Sequence, residues 1–284
     1  MPSAERITDR IVYHGEGPCW SDSWGGLRFV DMLAGDVVSL AADGSVSRRT
    51  YGEVAAVVRP RTGGGAIVAV ERGFVLEGPD GELERLPDVF AADPPLRMNE
   101  GGCDPDGRFY CGSIKGGEPG AGAFYRLDTD LTVSTVLQDV TVSNGFGFSP
   151  DGRLAYYNDT GTGRTDVFDY EREDGLTHRR VFAEVQDAEQ NRPDGLTVDA
   201  EGGVWVALFG GSAVRRYAPD GTLDLVVDVG ARQVTACAFG GDDLGELFIT
   251  TSRENLPSDE DPAAGSLFRY VPGVKGLPVL PFAG

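Results

Sequence analysis

One short pattern recurs six times along the chain, and a fixed period of this kind constrains the fold more tightly than any single motif. Each copy has an apolar residue, a short polar turn rich in Gly, and a strand-like run. The copies read WSDSWGGLRFVD from Trp20, VRPRTGGGAIVAVE from Val58, CDPDGRFYCGS from Cys103, FSPDGRLAYYND from Phe148, VDAEGGVWVALF from Val198 and FGGDDLGELFITT from Phe239. Blades of four short strands need about 40 to 50 residues each, so six of them fill a chain of 284 residues. The Asp-Gly and Gly-Gly pairs supply hairpin turn chemistry, because Gly tolerates positive φ. Runs such as GRFYC, GRLAYY and GVWVAL are rich in strand-forming residues. Helical periodicity is nearly absent.

The pattern predicts an all-β, six-bladed β-propeller with four-stranded antiparallel blades, residues 1–284 forming a single domain. A β-sandwich is the runner-up. Segments 122–128, 165–171 and 212–221 are expected to be the following strands of their blades. The piece before Gly15 is expected to pair into the last blade, closing the ring and removing an exposed edge.

The positions with chemistry lie four residues before each anchor: Glu16, Val54, Asn99, Asn144, Asp194 and Thr235. Equivalent residues at the start of the innermost strands converge at one end of a propeller's channel. Glu16, Asn144 and Asp194 then offer two carboxylates and one amide oxygen, a hard set with a charge that balances a divalent cation. Three protein ligands leave positions open for water and substrate. Taken singly, Asn144-Gly145 and Asp194-Gly195 also read as hairpin turns. Arg97, Asn99 and Glu100 in RMNEGG combine a planar donor fork, an amide and a carboxylate, groups suited to reading vicinal hydroxyls. Taken alone, that segment also reads as an exposed charged loop. His14 is expected to be an ordinary loop histidine, with a place behind the metal ligands, two residues before Glu16, as the alternative, and Asp31, Asp159 and Thr250 are expected to make hydrogen bonds between blades.

A formal charge of −20 without a Lys/Arg cluster argues against nucleic acid and against an anionic membrane surface as partners. The first fifteen residues lack the apolar run of a secretion signal, so a cytoplasmic location is expected. Cys19, Cys103, Cys111 and Cys237 have no C-x-x-C spacing and are expected to be reduced core thiols. Two histidines and no G-x-S-x-G elbow argue against a Ser-His-Asp hydrolase.

Taken together, HGEGPCW, RMNEGGCDPDGRFYCGS, VSNGFGFSPDGRLAYYND, RPDGLTVDAEGGVWVALFGG and the tail FGGDDLGELFITTSRE with GSLFRYVPGVKGLP resemble the SMP-30/gluconolactonase family, also called the regucalcin family. The resemblance covers almost the whole chain in order. It implies a six-bladed propeller holding one divalent metal (Ca, Mn, Mg, Zn or Fe) and hydrolysing an aldonolactone such as glucono-, xylono- or arabinonolactone. Position by position it makes Glu16, Asn144 and Asp194 the metal ligands, Asp194 also the catalytic residue, and Arg97 and Asn99 a substrate-binding pair. Glu100 stands where many members have Asp, and Ile114 where the family commonly has Met. A monomer or weak homo-oligomer is expected. The alternatives are a calcium-binding regulatory propeller without turnover, or an esterase of the same scaffold acting on non-sugar lactones or organophosphates.

Overall fold

Strands of small and β-branched residues, such as AAVVRP and AIVAV in the second repeat, are buried along almost their whole length. A sheet with apolar side chains on both faces must be covered on both, and stacking sheets around a ring achieves this without helices. The computed structural model of the protein describes all residues except Ala42, Gln186, Ala188, Glu189, Ser258 and Asp259. Among the described residues it contains six antiparallel sheets of four strands each, arranged as a six-bladed β-propeller. Among the described residues, helical structure is confined to single 3₁₀ turns at Asp22–Trp24, Met32–Ala34 and Thr160–Thr162.

The innermost strands are Gly15–Ser21, Ala55–Pro60, Leu96–Cys103, Ser143–Phe148, Arg192–Val198 and Val234–Gly240. Ring closure is as expected. The N-terminal strand Glu5–Arg6 pairs antiparallel with Phe268–Tyr270, supplying the outer edge of the sixth blade. The core lies in the wedges between neighbouring blades. Between the third and fourth, Phe124 sits 5.1 Å from Phe146 and 4.8 Å from Tyr157, ring centroid to ring centroid. All four cysteines are free and buried, as expected.

Two expectations need correction. Pairing of Pro60 with Ala66 matches that of Trp20 with Leu27 and Cys103 with Phe109, so the second blade's anchor is Pro60, not Val58. Its inner position is therefore Ala56 rather than Val54. Both are apolar, and the oxygen-bearing set does not change. In addition, six blades do not use up the chain, because residues 271–284 cross beneath the ring. There the N–H of Ala200 bonds the Lys275 carbonyl, that of Gly276 the Leu244 carbonyl, that of Phe282 the Pro60 carbonyl, and that of Ala283 the Gly107 carbonyl, each at 2.8 Å. Leu277 to Leu280 line a cavity of about 440 Å³ at that end of the channel, with Arg59, Phe146 and Phe239 among its other walls.

Phe282 is fully buried and meets the Phe109 ring edge-on at 6.4 Å. Phe282→Ala is expected to destabilise the protein by roughly 3–5 kcal/mol, the usual cost of emptying an aromatic core site. In urea unfolding this would lower the midpoint without changing the m-value.

Candidate functional site

Every innermost strand carries a register shift near its start: between Glu16 and Cys19, Ala55 and Val57, Met98 and Gly101, Ser143 and Phe146, Pro193 and Leu196, and Val234 and Ala236. A β-bulge bends the strand and re-aims its side chains, and here it recurs at the positions singled out by the repeat. The Asn-Gly and Asp-Gly pairs are therefore strand bulges, not hairpin turns. Their glycines allow neighbouring blades to touch. A Cβ on Gly145 would lie 2.4 Å from the Leu196 nitrogen, and one on Gly195 would lie 2.5 Å from the Ala236 Cβ.

Hydrogen bonds between blades set the amide orientations. Thr160 Oγ1 donates its only proton to the Pro193 carbonyl (2.7 Å), so it accepts from Asn144, which places Asn144 Nδ2 against it at 2.8 Å. Asn144 Oδ1 consequently faces the third blade, where Asn99 Nδ2 donates to it at 3.3 Å. Asn99 Nδ2 also donates to the Ser143 carbonyl (2.7 Å), and its Oδ1 accepts from Arg97 Nη1 (2.7 Å). Asn158 Nδ2 bonds the Asp194 carbonyl at 2.7 Å, anchoring the fifth blade's bulge to the fourth blade.

Electrostatics tie Glu16, Glu100 and Asp194 together. All three are buried. Burial, followed by the charges of Asp194 and Glu100, pushes the Glu16 carboxyl well above its ordinary value. Asp194 is raised in the same direction by burial and then by Glu100 and Glu254. Glu100 is also raised by burial, opposed chiefly by Arg59, whose Nη2 lies 3.3 Å from Glu100 Oε1. Its other oxygen, Oε2, is buried without a hydrogen-bond partner. Burial lowers Arg97, and the charges of Glu254, Glu16 and Asp194, in that order, oppose the shift.

This arrangement fits a divalent cation. It has hard oxygen donors, mutually repelling buried carboxylates that the nearby arginines offset only in part, and an orphaned carboxylate oxygen. Among the described residues no three His, Cys, Asp or Glu side chains cluster tightly enough to hold an ion by themselves. The candidate set instead includes the amide oxygen of Asn144.

Several residues differ from expectation or were not singled out. His14 is not an ordinary loop histidine: it is 5% exposed, with Nε2 4.0 Å from Glu16 Oε1 and Nδ1 2.7 Å from Ser252 Oγ. Burial and the nearby Arg97 lower its pKa to about 3, so it is neutral at pH 7. Asp31 and Asp159 bond within their own blades rather than between blades. Asp31 accepts from the N–H groups of Tyr13 and His14, and Asp159 from those of Thr141 and Val142. Thr250 likewise meets Thr235 within the sixth blade, and Thr235 makes the interblade bond, to the Gly15 carbonyl at 2.6 Å. Sequence reading missed Glu254 and Arg59, because neither lies at the repeat phase that marks the others.

Across residues 14–253 the chain matches the model of the family described as SMP-30/Gluconolactonase/LRE-like region. The chain belongs to this family. The SMP-30/gluconolactonase protein described here is 35% identical to the 6-deoxy-6-sulfogluconolactonase of Pseudomonas putida, with 95% of each chain covered. It is 34% identical to the pentonolactonase of Haloferax volcanii, with 96% of each covered. A crystal structure described as a calcium-binding protein, regucalcin, from Agrobacterium tumefaciens superposes on this SMP-30/gluconolactonase chain with a TM-score of 0.92. The two share 27% sequence identity, covering 100% of this chain and 99% of that one.

Proposed function

We propose that the protein opens a small, hydroxylated sugar lactone to its aldonic acid with the help of one divalent cation. The observation that carries this reading is the group of three buried carboxyls, Glu16, Glu100 and Asp194, raised by burial and mutual repulsion beside an Asn144 oxygen whose orientation is set. Lactonases among the relatives named above support the same chemistry.

Glu16, Asn144 and Asp194 would hold the cation. When bound, it supplies positive charge for the oxyanion that develops on the lactone carbonyl oxygen. Asp194 orients the attacking water and receives its proton as the new C–O bond forms. The ring C–O bond then breaks, and the departing ring oxygen takes that proton, leaving an aldonic acid. Arg97, held by its bonds to Asn99 Oδ1 and the Met98 carbonyl, binds the sugar's oxygen atoms. Asn99 orients both Arg97 and Asn144. Glu100, paired with Arg59, would add negative charge to the site that holds the cation.

A panel of aldonolactones followed by proton release, with chelator and then with Ca²⁺, Mn²⁺, Mg²⁺ or Zn²⁺ restored, tests the reading. Opening of at least one lactone, lost on chelation and regained with a divalent ion, is expected. Turnover that survives complete removal of metal would overturn the cation's part. The second reading, calcium binding without turnover, draws on the structural neighbour described as calcium-binding; saturable binding with no lactone opened would establish it instead.

A further inference from the structure

Glu254 follows the last long strand of the sixth blade, Glu246–Thr251, and reaches the same end of the channel as Glu16 and Asp194. Its backbone is pinned on both sides. The N–H donates to Ser252 Oγ (2.9 Å), and the carbonyl accepts from Gln233 Nε2 (3.1 Å). The side chain is 29% exposed and has Oε2 3.6 Å from His14 Nδ1. That nitrogen is engaged elsewhere: Ser252 Oγ, which accepts the Glu254 N–H, lies 2.7 Å from His14 Nδ1, closer than the Glu254 carboxylate does. Among the described residues no Lys or Arg lies within ion-pair distance of Glu254, although its charge is felt at both Arg97 and Asp194. Gln233 adds a second acceptor. Its Nε2 is identified by the carbonyl it faces, and its Oε1 is buried with no partner.

We propose that Glu254, with Gln233, is a specificity-determining rim that selects lactones presenting hydroxyl donors to the sixth blade and rejects lactones with an anionic substituent there. Two fixed acceptors reward a hydroxyl hydrogen, and a like charge beside a pinned, mostly buried carboxylate is disfavoured. The chain's charge of −20 acts in the same direction at longer range. Two positive groups at this end oppose it: Arg97, whose Nη1 is engaged by Asn99 Oδ1 and the Met98 carbonyl, and Arg192. Arg192 is exposed and lies over the Phe209 ring at 5.2 Å, so solvent and salt screen it more than they screen Glu254. This inference rests on the lactonase reading and names the substrate class within it.

The test compares a neutral hexono-1,5-lactone with its C6-sulfonated counterpart, using the full-length, cation-loaded wild type, Glu254→Gln, Glu254→Asp and Arg192→Ala. Glu254→Gln is expected to raise kcat/KM for the sulfonated lactone relative to the neutral one about tenfold, the size of effect expected when a partly screened like-charge contact is removed. Glu254→Asp should retain most of the discrimination, and rising ionic strength should shrink it in the wild type. Calorimetric titration with the two matching, non-hydrolysable lactams reads the same preference without turnover. If no lactone is opened, the lactonase reading fails while the lactams still report on the rim. An unchanged preference in Glu254→Gln, or a preference abolished by Arg192→Ala instead, would overturn the assignment.

Discussion

Replacing Asp194 by Asn should lower kcat/KM toward a hydroxylated lactone by about 10²–10⁴-fold, the range spanned by loss of a positioned general base, while leaving the propeller folded. The side chain sits at the fifth blade's bulge, between Pro193 and Leu196, with its backbone carbonyl held by Asn158. Asn keeps the size and one oxygen but removes a charge that burial, Glu100 and Glu254 all disfavour. The cation-free variant should therefore melt higher than the cation-free wild type at neutral pH. Stability and activity are expected to move in opposite directions, as they do where a fold tolerates strain for function. Elemental analysis must accompany the kinetics: full activity at full cation occupancy would exclude Asp194 as the base.

A second large effect concerns pH. Glu16, Glu100 and Asp194 are all raised in the fold above their ordinary values of 4.5, 4.5 and 3.8. A carboxyl that holds its proton more tightly when folded contributes stability that is fully present below the unfolded pKa and is lost as pH rises through the folded one. The cation-free protein should therefore lose stability from about pH 4 upward, as these three groups are forced to ionise side by side. His14 works against this slope at the acid end: burial and Arg97 lower its pKa from 6.5 to about 3, so the unfolded chain binds its proton more tightly and this group adds stability as pH rises toward 6.5, which leaves the carboxyls' effect to be read above that. A divalent cation at a hundredfold excess over its Kd should restore about 2.7 kcal/mol at neutral pH. Melting curves from pH 4.5 to 8, with chelator and with cation, should diverge as pH rises. Curves that stay parallel would remove this cluster as the cation site.

The blades were legible in the sequence because hairpin chemistry is local. Asp-Gly and Gly-Gly before short β-branched or aromatic runs specify strand pairs without reference to distant residues. Where the turn was longer, in RPRTGGG, the anchor slipped by two residues from Pro60 to Val58. Oxygen-bearing side chains at one repeat phase identified Glu16, Asn144 and Asp194 as a set. Two companions escaped for a physical reason, since Glu254 and Arg59 are placed by interblade packing, whereas His14, two residues before the phase, was legible only as an alternative to a loop histidine. The glycines after Asn144 and Asp194 were ambiguous, since close approach between blades and a tight turn both require a missing side chain.

The sequence by itself determined the number of blades and the residues that recur at the bulge phase, because each depends on pairing between near neighbours in the chain, while closure of the ring by the N-terminal piece followed from the need to cover the sixth blade's exposed edge. Only the tertiary structure decided which way the amides turn, that Arg97 and Asn99 bond each other, that residues 271–284 cross beneath the channel, and that Glu254 joins the opposite end. Those features come from segments brought together by closing a ring. Burial and charge at the axis depend on every blade at once, and no local pattern records them.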